Sequence, residues 1–464
     1  MASEDLGLNG CKTCSNVNSM SKRKETWSSS LGFILATAGS AVGLGNLWGF
    51  AYRASAGGGA VFIVLFILII VSICMPVLIA EMVLGRSTGS AALMAPTRAG
   101  GRRWALMGWW GLINCLGILS YYSVIMGWTM NSLITSILEG LPQSAEAGQN
   151  HFNQISSGSW SLIGHLISIV VTGFVVSAGV QKGIERLSKW GIPTLFVLLV
   201  GLMIWAGTLP NAMEGYKTFL LKWDSAMFLD RTTLMNAFTQ AFFSLGLGVG
   251  VITTYASYLG KGNQLPKEAS WIAGMDTSVG IMAGCVTFPL VASAGLQDMI
   301  SDSNVGALFI AVPSGLASIP MGGRLITALF FALVYIAGLT SIVSILEAPV
   351  ASIIERFGWS RQKAVWSLTI ICACLGIPAA LNSHVLESMD AFFASFGMIS
   401  GGLLVILLMG WSVPKQFNND LKECGTSPLI RRLLLFSLRW FSPAVVSIGL
   451  LISLSTLKDK LFGA

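Results

Sequence analysis

The chain has 464 residues, of which 54% are hydrophobic and only 11% charged, and its mean hydropathy is +0.73. Too few polar side chains remain to cover a soluble globule, and stretches of roughly 20 apolar residues, long enough to cross a bilayer, recur along most of its length. The net charge of +7 is carried by basic residues between those stretches, so it reports membrane topology and implies no nucleic-acid partner.

About eleven apolar segments are expected to span the bilayer: 31–50, 60–83, 104–137, 160–178, 189–208, 232–258, 270–295, 322–354, 364–380, 391–411 and 433–455. The chain therefore reads as an all-α polytopic membrane protein with the lipid bilayer as its partner. Alternate loops hold most of its 28 Lys and Arg, among them Arg98, Arg102, Arg103, Lys182, Arg186, Arg361 and Arg431. That bias puts the N-terminus in the cytoplasm and, for an odd number of spans, the C-terminus outside. Residues 1–26 are polar and expected to form a flexible cytoplasmic tail, with residues 27–464 as the membrane domain. Cys11 and Cys14 form a lone CxxC, too little for a zinc site. His151, His165 and His384 are scattered, and no organic cofactor is expected.

The first segment carries Gly39-Ser40-Ala41-Val42-Gly43-Leu44-Gly45-Asn46 at its middle. Glycines and a side-chain amide at mid-depth point either to a helix opened around a solute or to close packing of small residues. The sixth segment holds a second such run, Phe243-Ser244-Leu245-Gly246-Leu247-Gly248-Val249-Gly250. Breaks five helices apart are the pattern of two five-helix units of inverted topology, about 27–210 and 230–412, followed by an eleventh helix. A solute site is expected between them.

Polar residues inside apolar segments are costly and mark function by default. Glu81 closes the second segment, near enough to the surface to suggest a structural role. Asp276 lies in the seventh, and Asp390 opens the tenth. On the eighth, Thr340, Ser344 and Glu347 share a helical face with Ser341 beside it. Asn46, Asp276, the Thr340 and Ser341 hydroxyls and the carbonyls of the breaks make an all-oxygen set, suited to a hard cation such as sodium beside a small polar solute.

These stretches resemble the neurotransmitter:sodium symporter family, particularly its bacterial amino-acid transporters. The likeness runs from Trp27 to about residue 455. It is carried by Gly39 to Trp48, Glu81 with Gly85-Arg86, Tyr121-Tyr122, Phe243-Ser244, Thr254-Tyr255-Ala256-Ser257-Tyr258 and Ala337-Gly338-Leu339-Thr340-Ser341. The resemblance implies a LeuT-type fold and two sodium sites. Ala41, Asn46, Ser244 and Asp276 would hold the first ion together with the substrate carboxylate. Gly39, Val42, Ala337, Thr340 and Ser341 would hold the second. It further implies a substrate pocket of Ser40, Ala41, Leu44, Gly45, Ile118, Tyr122, Phe243, Ser244, Gly246, Val249, Ser341 and Ile345.

That pocket has no charged side chain for the substrate's R group, so the expected cargo is a neutral, mainly hydrophobic amino acid imported by alternating access. Phe66 stands where chloride-dependent relatives carry a tyrosine, and Asp276 where they carry asparagine, so chloride independence is expected. The inner gate would comprise Trp27, Tyr258 and a Lys24–Glu355 pair. At the outer gate, Gly49 replaces the family's arginine, and Arg53, one turn on, is the candidate partner for Asp390. Alternatives are a sodium-coupled carrier of another small zwitterion or amine, or a substrate sensor that does not transport. An enzyme is not expected, because no nucleophile–base pair accompanies the breaks. A monomer or weak homodimer is anticipated.

Overall fold

The computed structural model describes residues 25–462 except 141–144, 261, 296–306, 312 and 314–322. The expected tail up to Lys24, with Cys11 and Cys14, lies outside the described residues. All regular structure among the described residues is helical.

The first span is two helices, α1 (Ser30–Ala41) and α2 (Gly45–Ala56), bent by 67°. Nine continuous helices among the described residues are long and apolar enough to cross a bilayer. Six matter below: α3 (Ala60–Thr88), α4 (Arg102–Leu138), α5 (Gly158–Ser177), α6 (Val180–Ala206), α9 (Leu265–Ala294) and α10 (Gly323–Phe357). The others are α11 (Arg361–Leu381), α12 (Ser383–Ser412) and α13 (Pro428–Ser455). Between α6 and α9 the sixth segment is also interrupted, into α7 (Arg231–Ser244) and α8 (Val251–Ala256). Each of the eleven expected segments thus finds helix, and the two expected to break do so. Several helices extend past the apolar windows, as at 265 and 383, where polar residues continue the helix beyond its apolar stretch.

The breaks follow from local chemistry. Val42 leaves α1 in an extended conformation (φ −69°, ψ 100°), and a widened helical turn at Gly45–Gly49 restarts the span. In the second break, Gly246 and Gly248 sit at φ +63° and +86°, a left-handed region open to glycine at little cost. A Cβ on Gly248 would stand 2.1 Å from the Met398 carbonyl oxygen, so this loop touches α12 backbone to backbone. Helix α1 packs on α6 and α10, α2 on α7 and α9, and α8 on α3, which sets both breaks side by side in the middle of the bundle. Large apolar side chains such as Val71, Phe174, Val197 and Ile370 cover the outside and face lipid.

Glu81 corrects one expectation. It is fully buried, not near the surface, because α3 continues to Thr88 beneath it. Its Oε1 accepts the Gly248 N–H at 2.6 Å and its Oε2 the Thr253 hydroxyl at 3.3 Å. The carboxylate thereby satisfies a backbone donor that the broken helix frees. Glu81→Ala is expected to strand that donor and destabilise the fold by about 1–3 kcal/mol, read as a lower unfolding midpoint in detergent. Glu81→Gln should retain part of the stability; an Ala variant as stable as the parent would remove this role.

Candidate functional site

A small cavity of about 50 Å³ lies where the two breaks meet. Its walls are Ser40, Ala41, Gly43 and Asn46 from the first break, Phe243, Gly246, Val249 and Val251 from the second, and Ile118, Tyr122, Ser341, Ile345 and Met398 from α4, α10 and α12. Eight of the expected pocket residues line it: Ser40, Ala41, Ile118, Tyr122, Phe243, Gly246, Val249 and Ser341, with Ile345 making a ninth. Leu44 and Gly45 lie behind the wall: Leu44 reaches toward Gly338, and Gly45 sits directly under the Phe243 ring. Gly43 was read as part of the first break but not as pocket wall, and Val251 and Met398 went unread in the sequence, being apolar residues without a chemical signature.

Beside the cavity, Asn46, Ser244 and Asp276 form one buried cluster. Asn46 Nδ2 donates to Asp276 Oδ1 at 2.7 Å and to Ser244 Oγ at 2.8 Å, while Ser244 Oγ donates to Asp276 Oδ2 at 2.6 Å. Three separate elements, α2, α7 and α9, thus converge on one carboxylate. The Asn46 Oδ1 accepts the Gly43 N–H at 3.2 Å and holds the break's own turn. Next to it the Tyr122 hydroxyl accepts the Leu44 N–H at 3.1 Å, at the N-terminal end of the second half-helix, where a partial positive charge favours an anionic group.

The second oxygen group joins α1 and α10. Gly39 lies against Thr340, since a Cβ there would come within 3.2 Å of the Thr340 Cβ. The Ser341 hydroxyl crosses between helices to the Ser40 carbonyl at 2.7 Å and lies 3.5 Å from that of Val42. Thr340 Oγ1 donates within its own helix to the Ala337 carbonyl at 2.9 Å. All five residues expected at this place, Gly39, Val42, Ala337, Thr340 and Ser341, come together, with hydroxyl and carbonyl oxygens and no soft ligand among them.

Polar layers lie on either side of the cavity. Toward the N-terminal end of α1, Trp27 Nε1 donates to the Tyr255 carbonyl at 2.9 Å, and its ring packs against Tyr255 and Tyr258. Tyr258 donates to Glu347 Oε1 at 2.9 Å, Arg361 pairs with Glu347 Oε2 at 2.5 Å, and Glu25 joins Arg361 at 3.3 Å. Lys24, expected opposite Glu355, lies outside the described residues; Glu355 pairs with Arg98 at 2.8 Å and accepts the Ala91 N–H at 2.8 Å. The sequence marked Glu347 as a costly buried carboxylate, but its partner Arg361 looked like one more basic residue between spans.

On the other side, Arg53 donates to Gln240, which donates to the Gly45 carbonyl at 3.2 Å. Tyr121 donates to Asp390 at 2.9 Å. Gln240 is a further member that sequence reasoning missed. Phe66, at the place read as replacing a tyrosine, is fully buried among Phe50 and Phe62, so its surroundings are aromatic.

The model of the Sodium:neurotransmitter symporter family matches residues 24–157 and 145–463. An uncharacterized sodium-dependent transporter of Methanocaldococcus jannaschii is 34% identical over 84% of this chain and 82% of its own length. Another, YhdH of Bacillus subtilis, is 35% identical over 86% and 90%. The crystal structure of MhsT in complex with L-phenylalanine superposes with a TM-score of 0.84 at 35% identity, covering 92% of this chain and 99% of MhsT.

The Glu347–Arg361 pair has one wholly buried member, so deleting the cation should strand a charge. Arg361→Ala is expected to destabilise by about 3–5 kcal/mol. Replacing both residues by apolar ones should recover much of that loss, measured by thermal unfolding in detergent. A single variant no worse than the double would show that the pair is not coupled.

Proposed function

Because the chain belongs to the sodium:neurotransmitter symporter family, we propose that it uses the inward sodium gradient to import a neutral, mainly hydrophobic amino acid by alternating access. It is a sodium-coupled transporter of the LeuT-type fold, embedded in a membrane and acting on a small molecule, not an enzyme. The observation that carries the finer reading is the convergence of Asn46, Ser244 and Asp276 beside a cavity walled by both helix breaks.

Two sodium ions are the proposed co-substrates. The first is held by Ala41, Asn46, Ser244 and Asp276, where carbonyl, amide, hydroxyl and carboxylate oxygens suit a hard cation. The substrate carboxylate completes it, held by Tyr122 and the N-terminal turn at Leu44. An ion that touches the substrate raises its affinity, and by reciprocity the substrate raises that of the ion. The second ion sits among Gly39, Val42, Ala337, Thr340 and Ser341. The side-chain end of the pocket (Ile118, Val249, Ile345, with Gly246 open) is apolar, in keeping with the L-phenylalanine bound to MhsT. At about 50 Å³, room for a few waters, the cavity is tight for a large amino acid, so lodging one moves its walls, with Phe243 as the lid.

The layer of Trp27, Tyr258, Glu347 and Arg361, with Lys24 and Glu355, is proposed as the cytoplasmic gate. Arg53, Gln240, Tyr121 and Asp390 are the proposed outer one, with Arg53 in place of the arginine missing at Gly49. The positive-inside bias puts the N-terminus in the cytoplasm and the C-terminus outside. Asp276 supplies a fixed negative charge beside the first ion, and no anion is needed to balance it.

Uptake of a labelled neutral amino-acid mixture into proteoliposomes should require an inward sodium gradient, collapse when potassium replaces sodium, and survive replacement of chloride by gluconate. Sodium-dependent binding without accumulation would replace the carrier by a sensor. For Asp276→Asn, transport should fall and become chloride-sensitive. A Cβ on Gly246 meets nothing within 4 Å and points into the open space. Gly246→Ala should therefore discriminate against aromatic relative to small substrates in competition assays, beyond a loss of stability of about 1–2 kcal/mol from its left-handed backbone. Unchanged selectivity would move the side-chain end of the pocket elsewhere.

A further inference from the structure

A second concavity, of about 470 Å³, lies on the outside of the bundle between α5, α6 and α10, far from the helix breaks in sequence but close to one of them in space. Its α6 wall is a single stripe of residues four apart, Lys182, Arg186, Trp190 and Thr194, which share one helical face. Cations come first, then an interfacial aromatic, then a small residue at greater depth. Val175 of α5 and Ile336 and Leu339 of α10 make the opposite, apolar side. Gly191 forms the floor: a Cβ there would stand 3.3 Å from Thr340 and 3.4 Å from Ile336, so the groove reaches the helix that carries the second proposed sodium site.

The charges do not cancel locally. The nearby carboxylates are already held: Glu185, 1% exposed, by Lys189 at 2.8 Å and by Ser28, and Glu25, beside Gly179, by Arg361 at 3.3 Å. Lys182 and Arg186 are exposed and form no ion pair among the described residues. Trp190 is 74% exposed on the same stripe, the place where an indole sits at headgroup level. Two free cations above an apolar groove on a lipid-facing surface match one kind of molecule in both halves: a negatively charged headgroup on a long acyl chain.

We propose that this groove binds an anionic phospholipid, its phosphate held by Lys182 and Arg186 and one acyl chain lying along Val175, Ile336 and Leu339. A zwitterionic lipid fits the groove equally well but brings no net charge, so the cations select between the two. The site is independent of which solute is transported.

Native mass spectrometry of the full chain in detergent, with phosphatidylglycerol and phosphatidylcholine of identical acyl chains in competition, tests this directly. Phosphatidylglycerol should be retained selectively, and K182A/R186A should weaken its retention roughly 25-fold, at about fivefold for each cation. K182R/R186K, which keeps the charge, should retain it. Equal retention of the two lipids by the unaltered chain would overturn the proposal without recourse to any variant. So would undiminished selectivity in K182A/R186A, or displacement of the lipid by inorganic phosphate alone, which would reduce the groove to an anion site.

Discussion

A helix opened inside a bilayer exposes N–H and C=O groups that water cannot reach, and each one left unpaired costs several kcal/mol. Two helices of this bundle are opened side by side, and much of the polar chemistry in the core answers that demand. Asn46 takes the Gly43 N–H, Tyr122 the Leu44 N–H and Glu81 the Gly248 N–H. Ser341 and Gln240 donate to the carbonyls of Ser40 and Gly45. Except for Asn46, each of these groups belongs to a different helix from the one it satisfies. The breaks therefore persist only while α3, α4, α7 and α10 are assembled around them.

Asn46, Tyr122 and Ser341 are also groups that a transported solute would use. Held in place by the packed helices, they would meet an arriving ion or carboxylate with little rearrangement. Asp276 carries the argument furthest, since a carboxylate buried between Asn46 and Ser244 is tolerable only where hydrogen bonds or a cation compensate it. Its two partners come from the two broken segments, so an ion at this point would bear on both breaks together.

What the sequence made legible follows from how each feature announces itself. Apolar length marked all eleven segments, and glycine runs marked both breaks, because a bilayer leaves few other reasons for such residues at mid-depth. Asn46, Asp276, Thr340 and Ser341 stood out as polar groups in apolar surroundings. Val251 and Met398 did not, because a wall made of ordinary apolar residues has no signature until the helices are packed. Glu81 was read as lying near the surface because the apolar window ended there, whereas α3 runs on to Thr88 and buries it. Arg361 was invisible for a related reason: a cation at a helix start resembles its neighbours until Glu347, fourteen residues earlier, folds back against it.

The two polar layers differ in kind, and the difference bears on how the cavity opens. The layer at Trp27 ties Tyr258, Glu347, Arg361 and Glu25 into one chain of hydrogen bonds and ion pairs across α10, α11 and the segment leading into α1. Separating it exposes a carboxylate that is wholly buried, so it opens as a unit, and only when water reaches Glu347. The layer at Arg53 is built instead on a side-chain amide, with Gln240 bridging Arg53 to the carbonyl of Gly45. That carbonyl belongs to the first break itself. Any solute that reorients Gly45 therefore acts directly on the hold that Arg53 has on α7, whereas it reaches Glu347 along α10, through Ser341 and Ile345 of the cavity wall. The layer at Arg53 is thus joined to the first break by hydrogen bonds, and the layer at Glu347 to the cavity through the helix that walls it, with a buried ion pair to separate before it opens.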